Sequence, residues 1–259
     1  MISSSTAPIA DAGAFAAAPA AAGPRFWRRH ALWPAAAFAA LAALLESTTL
    51  DLAIAERLFY DRAAGGWRWG GSWWANELIH EAGRDAVALV FFAAAGCWAA
   101  SFALRRARPL RRPAAYLALV IALGPGLVAA LKETTDVGCP RNLALFGGGR
   151  PYVRLLEPRP PGLERGVCFP GGHSSGGFAL LGLYFALRER GRTPGSIGLA
   201  IGAATGFAFA FGQWARGAHF VSHDLWSAFL CWSVALALYA GAFRRRLAPA
   251  RADAPGDER

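Results

Sequence analysis

The sequence predicts an all-α integral membrane protein: a six-transmembrane-helix bundle with both termini cytoplasmic and a chemical site at the outer ends of helices 3–6. Three observations carry that reading. The 259 residues are 55% hydrophobic and only 17% charged, with a mean hydropathy of +0.30. Six stretches approach the roughly 20 apolar residues that cross a bilayer. The arginines gather at alternate ends of those stretches.

Taken in order, residues 1–24 are rich in Ala, Ser and Pro and are expected to be disordered. With no basic residue ahead of an apolar core, they do not read as a cleaved secretory signal. The membrane domain is expected at 25–246, and a polar tail at 247–259 is again expected to be disordered. The apolar segments fall at about 31–49, 86–104, 114–131, 174–187, 195–215 and 225–243. The fourth is short. At a rise of roughly 1.5 Å per residue it covers only about 21 Å unless its helix begins in the Gly171-Gly172-His173 turn. Glycines through the fifth segment suit close helix packing in lipid.

Arg25, Arg28 and Arg29 precede the first segment, and Arg105, Arg106, Arg108, Arg111 and Arg112 separate the second from the third. Arg188, Arg190 and Arg192 separate the fourth from the fifth, and Arg244, Arg245 and Arg246 follow the sixth. All lie on one side if six segments span, and the positive-inside bias makes that side cytoplasmic. The net charge of +10 is therefore topological and does not describe a nucleic-acid face, which would interleave basic with polar contacts. The opposite loops, about 50–85, 132–173 and 216–224, face outward. Trp67, Trp69, Trp73 and Trp74 there read as an interfacial aromatic belt. Cys97 and Cys231 read as packing residues within the membrane. Cys139 and Cys168 share the long outer loop, where an oxidising compartment permits a disulfide; two buried thiols are the other reading.

The outer loops carry the chemistry. Lys132 is the only lysine among 27 basic residues. It opens a stretch ending Cys139-Pro140-Arg141. Cys168-Phe169-Pro170-Gly171-Gly172-His173-Ser174-Ser175 and Arg216-Gly217-Ala218-His219-Phe220-Val221-Ser222-His223-Asp224 follow. Polar groups at the ends of membrane helices are costly unless paired or used. Phosphoryl transfer needs cations and backbone N–H donors around the charge on the equatorial oxygens. Lys132 offers a point charge, and Arg141 or Arg216 a bidentate fork. Gly171 and Gly172 allow close approach of amides, with a helix N-terminus beginning near His173. Ser174 offers a further phosphate contact, and Ser175 suits a helix cap. His219 suits the nucleophile and His173 the proton donor. His223, four residues on, or Asp224 is placed to orient His219. His80 and Arg84 read either as pocket lining or as a surface helix cap.

A zinc reading of His173, His219 and His223 is weighed against this. Phe220 stands where a zinc peptidase motif puts Glu, and the surrounding cations repel a metal. No metal and no other cofactor is expected.

In this pattern the chain resembles the type 2 phosphatidic acid phosphatase superfamily, which also includes vanadium haloperoxidases. Lys132 and Pro140 match the first motif, with Cys139 at its arginine. Pro170, Gly172 and His173 match the second, with Gly171 at its serine. His219 matches the third, with Gln213 at its arginine and His223 at its aspartate. The resemblance spans roughly 114–240. It implies a metal-independent phosphatase: His219 attacks phosphorus, and His173 protonates the leaving alcohol. Arg216 and Arg141 are expected to replace the missing arginines. The expected substrate is a lipid phosphate, with the bilayer as partner and no nucleic acid; the expected location is the inner membrane of a bacterium, with the site facing the periplasm.

Overall fold

The computed structural model describes residues 22–244, so the expectations for 1–21 and 245–259 fall outside the described residues. Among the described residues, five helices are long and apolar enough to cross a membrane: α1 (Pro24–Ser47), α3 (Trp74–Ala103), α4 (Arg105–Thr134), α7 (Arg192–Ala215) and α8 (Val221–Phe243). Between α1 and α3 lies α2 (Leu50–Ile54, continued through Ala55–Phe59). A two-residue antiparallel hairpin follows it, β1 (Tyr60–Asp61) against β2 (Gly66–Trp67).

The fourth apolar segment forms two short helices, α5 (Gly172–Ala179) and α6 (Gly182–Arg188). They pack against α4, α7 and α8, with the break at Leu180-Leu181. Close approach explains the glycines of α7. Gly195, Gly198, Gly202 and Gly206 recur at three- and four-residue spacing on one buried face. A side chain at Gly177 of α5 would meet the backbone of Gly206 at 2.8 Å. Small residues let the two backbones touch, which in lipid replaces the hydrophobic driving force between helices.

Two stretches differ from the sequence reading. The start of α3 extends back to Trp74, so the second half of the expected loop 50–85 is helical. Glu77, His80, Glu81 and Arg84 interrupt the apolar pattern without breaking the helix. Trp67, Trp69 and Trp74 pack on other aromatic rings, among them Phe146, Phe59 and Phe211. Trp73, 65% exposed, is the one of the four that faces outward.

The half of the bundle near residues 26–30 holds a tight core. Tyr116, Phe185, Ala235 and Tyr239 are buried there, with Phe26 and Trp232 against them. The other half holds the loops that carry the candidate chemistry.

Candidate active site

The loop 135–171 is fastened before it reaches the site. Cys139 and Cys168 form a disulfide with Cα atoms 5.1 Å apart, which answers the question the sequence left open. Cys168 N donates to Val137 O at 3.0 Å, and the Phe169–Pro170 bond is cis. The chain therefore arrives at Gly171 with the start of α5 anchored to the end of α4.

His219 lies in the short link between α7 and α8. Gly217 turns that link through a left-handed conformation at φ 64°, and Trp67 packs where a side chain would stand. His219 is 7% exposed. Its Nδ1 is 2.7 Å from the carbonyl oxygen of Cys168. A carbonyl only accepts, so Nδ1 carries the proton and Nε2 keeps its lone pair. Burial, then the neighbouring His223 and Lys132, hold the His219 pKa well below the ordinary imidazole range. The ring is neutral at neutral pH.

His223 is buried with its Nδ1 3.4 Å from Nδ1 of His219. Asp224 has other partners than the sequence offered. It is 1% exposed; Ser174 Oγ donates to one oxygen, and Trp214 Nε1 donates to the other at 2.6 Å. Its two bonds hold α5, α7 and α8 together at the end of the bundle that carries His173 and His219. The contact to His219 Nδ1 thus comes from a backbone carbonyl, with His223 beside it, and Asp224 is not a partner of that ring.

Ser174 is also placed differently. Fully buried, its hydroxyl faces Asp224 and the Gly171 carbonyl, so a phosphate contact is not available to it. Ser175 bonds back to the Gly172 carbonyl at 2.6 Å and does not cap the helix. Gly171 donates its N–H to the His223 carbonyl at 3.0 Å. The glycine at 171 has a steric cause: a Cβ there would overlap the Asp224 carboxylate and the Ser174 hydroxyl. The amides left at the start of α5 are those of its first turn, Gly172 onward.

Lys132 stands at this turn, and Arg216 lies in electrostatic range of His173. A Cβ on Gly172 would sit 3.0 Å from Lys132 Nζ. That ammonium has Asp224 and Glu133 as electrostatic partners, and among the described residues no hydrogen bond or ion pair within 4 Å holds it. Among the described residues, Arg216 Nη1 is buried without a hydrogen-bond partner. Burial, then Arg141, draw Arg216 down from the usual guanidinium range. Arg141 is exposed, on a loop tied by its own N–H to Gly217 O at 2.9 Å. An anion beside Arg216 and Arg141 would offset their mutual repulsion.

His173 stands at the start of α5. Its Nε2 is 3.1 Å from the Ile79 carbonyl, and its ring stacks on Phe209 at 4.5 Å. His80 lies against it, ring centroids 4.5 Å apart, and Gln213 Nε2 is 3.0 Å from His80 Nδ1. His80 lies within α3 and packs on His173 and Gln213, so it is not a surface cap. Arg84 is exposed and paired with Asp85 at 3.1 Å.

On the far face of His223 lies a cavity of about 280 Å³. Ala43 and Glu46 of α1, Tyr152, Arg159, Phe169 and Trp226 are among its walls. His219 does not line it. Among the described residues, no three His, Cys, Asp or Glu are arranged to hold a metal ion.

A family model described as PAP2 superfamily matches residues 113–247, more than half of the chain. That range contains Lys132, the disulfide, His173, Gln213, His219, His223 and Asp224. No curated protein and no solved structure matches the chain.

Proposed function

The chain belongs to the PAP2 superfamily, and from that membership, which implies phosphatase chemistry on phosphate esters, we propose a membrane phosphatase that hydrolyses a lipid phosphate through a phosphohistidine. The carrying observation is the hydrogen bond of His219: its Nδ1–H lies on the Cys168 carbonyl and leaves Nε2 free to attack, with Lys132 in electrostatic range and, in the same link, Arg216 Nη1 without a hydrogen-bond partner among the described residues.

In this reading the phosphoryl group lies against the first turn of α5, with Lys132 and Arg216 on its oxygens and Arg141 at the mouth. Nε2 of His219 attacks phosphorus as the bond to the ester oxygen breaks. The electron pair leaves with that oxygen, which takes a proton from His173. Nε2 of His173 is held by Ile79 O, so Nδ1 is the nitrogen that serves the leaving group, and His173 enters the step as the imidazolium, the form that the negative charge of the bound phosphate favours. His173 then removes a proton from water, which attacks the phosphohistidine, releases inorganic phosphate and restores His219. No step uses a metal ion. Most of the catalysis is positioning and electrostatic, as phosphoryl transfer requires.

Five helices long and apolar enough to cross a membrane favour a lipid substrate. With all six apolar segments in one bundle and α5 and α6 as a broken span, the positive-inside bias supports arginine-rich loops in the cytoplasm and a site at the periplasmic leaflet of a bacterial inner membrane. The cavity behind His223, with apolar walls from α1 and α8, gives room for part of the substrate beyond its phosphate. Polyprenyl pyrophosphate, phosphatidate-like lipids and lipid A type glycolipids are the substrate classes.

The test is release of inorganic phosphate by purified protein from a panel of those lipids, with and without an acceptor lipid. Wild-type release that falls at least about 10³-fold in His219→Ala, with an unchanged melting temperature, is the expected result. Full activity in the variant would remove His219 from the role. Phosphate appearing only on the acceptor would make the protein a transferase.

A further inference from the structure

We infer that His80 is a phosphate-binding residue of this site, an imidazole donor standing in for the arginine absent at position 213. The inference rests on the phosphatase reading above and concerns a residue upstream of the matched region 113–247.

Gln213 occupies the position at which the third motif carries arginine. It is 3% exposed, and its side-chain amide donates to His80 Nδ1 at 3.0 Å. An arginine there would bring its own donors to a phosphate. The glutamine instead fixes a neighbouring ring. With Nδ1 accepting, the proton of neutral His80 sits on Nε2, at the other edge of the imidazole, and Nε2–H is the donor left over.

The surroundings suit an anion. The His80 ring is 4.5 Å from that of His173. Arg216, Arg84 and Arg141 lie in electrostatic range of it, with Glu81 the nearby acid. A second guanidinium beside Arg216 would add to the repulsion among these cations before substrate arrives. A neutral imidazole adds a hydrogen bond to a phosphoryl oxygen without adding charge. No proton is transferred in this role: Nε2–H donates to a non-bridging oxygen and keeps its hydrogen throughout.

The helical start of α3 makes the arrangement possible. Ile79 presents its carbonyl to His173 while the next residue turns its ring to Gln213. One turn of α3 therefore orients one imidazole and supplies another.

The experiment compares wild type, His80→Ala and His80→Gln in detergent. Substrates are a lipid phosphomonoester and an aryl phosphate with a good leaving group. Orthovanadate inhibition, vanadate binding by calorimetry and thermal melting are measured alongside. His80→Ala is expected to raise KM and the vanadate inhibition constant about tenfold with both substrates, the loss of one hydrogen bond to a charged oxygen, while kcat changes less than about threefold. His80→Gln, which keeps an N–H donor, should recover most of that loss, and it also serves if the alanine variant does not fold. A kcat loss confined to the lipid ester would overturn the proposal in favour of a proton donor. Unchanged KM and vanadate affinity would overturn it outright. Should wild type hydrolyse neither substrate, the phosphatase reading fails separately, and equal vanadate affinity in wild type and His80→Ala would then sink the His80 assignment.

Discussion

Two buried imidazoles stand at opposite ends of the bundle, and their neighbours differ in one respect. His30, near the start of α1, is 3% exposed with both ring nitrogens engaged. Nδ1 lies 2.8 Å from Phe26 O, and Nε2 lies 2.7 Å from both Tyr184 Oη and Arg188 Nη1. Arg188 also lies over the rings of Phe26, Tyr184 and Tyr239, and Tyr239 bonds Glu189. Trp232 closes the cluster by donating to the His30 carbonyl at 2.7 Å. Here the described cation and imidazole satisfy each other. At the other end, among the described residues, His219 bonds through Nδ1, Arg216 Nη1 has no hydrogen-bond partner, and the Lys132 ammonium faces Gly172. Burial of polar groups is common to both ends. Completeness separates them: a satisfied cluster stabilises the bundle, whereas an unsatisfied one is shaped for something that comes from outside.

The comparison breaks most visibly at Arg216. Arg216→Ala should lower kcat/KM for phosphate release about 10²-fold or more, the usual cost of one preorganised donor on developing charge. Its melting temperature should hold or rise, since a half-buried cation with one nitrogen lacking a hydrogen bond is removed. A large loss of stability with little loss of rate would place Arg216 with Arg188 as a structural group. Next in size is the disulfide. Replacing Cys139 and Cys168 together by serine should cost about 2–4 kcal/mol of stability, the ordinary effect of freeing a loop of this length. It should also lower kcat, because Cys168 supplies the carbonyl that fixes the His219 tautomer. Denaturant melts and initial rates on the folded fraction read the two effects separately.

His30→Ala tests the opposite end. Leaving Tyr184 and Arg188 without their shared partner should cost about 1–3 kcal/mol of stability. The rate per folded molecule should stay within about twofold, which burst-titrated active-site counts can check. The smallest effect is the pH profile. His219 attacks as the neutral base and its pKa is lowered, chiefly by burial. Its neutral form therefore persists until the pH falls through that lowered value. The acid limb it sets on kcat/KM should lie below the usual imidazole value of about 6.5. A limb above that value would mean that substrate-free His219 is more solvated than its surroundings indicate.

Much of the site was legible because its motifs are local. Lys132, His173 and His219 each end or begin an apolar segment, and that placement alone draws attention to them. What stayed hidden depends on contacts between distant segments. Gly171 reads as a lost serine, yet Asp224 from α8 occupies the space a side chain would take. Asp224 reads as an orienter of His219 by its distance along the chain, while its carboxylate turns to Ser174 and Trp214. His80 sits among Glu77, Glu81 and Arg84, so hydropathy alone assigns it to a loop. Spacing at i, i+3 and i+4 was the signal that α3 had already begun.

By itself, the sequence determined that this chain packs apolar helices, that its arginines segregate at their ends, and that a phosphate chemistry is written into three short motifs. Those properties are carried by residue type and spacing, and no distant contact is needed to read them. Only the tertiary structure decided which groups meet: the Cys168 carbonyl on His219, Asp224 beneath Gly171, and Gln213 on His80. Hydrogen bonds are short and directional, so they are settled where helices converge, and no linear pattern specifies that convergence.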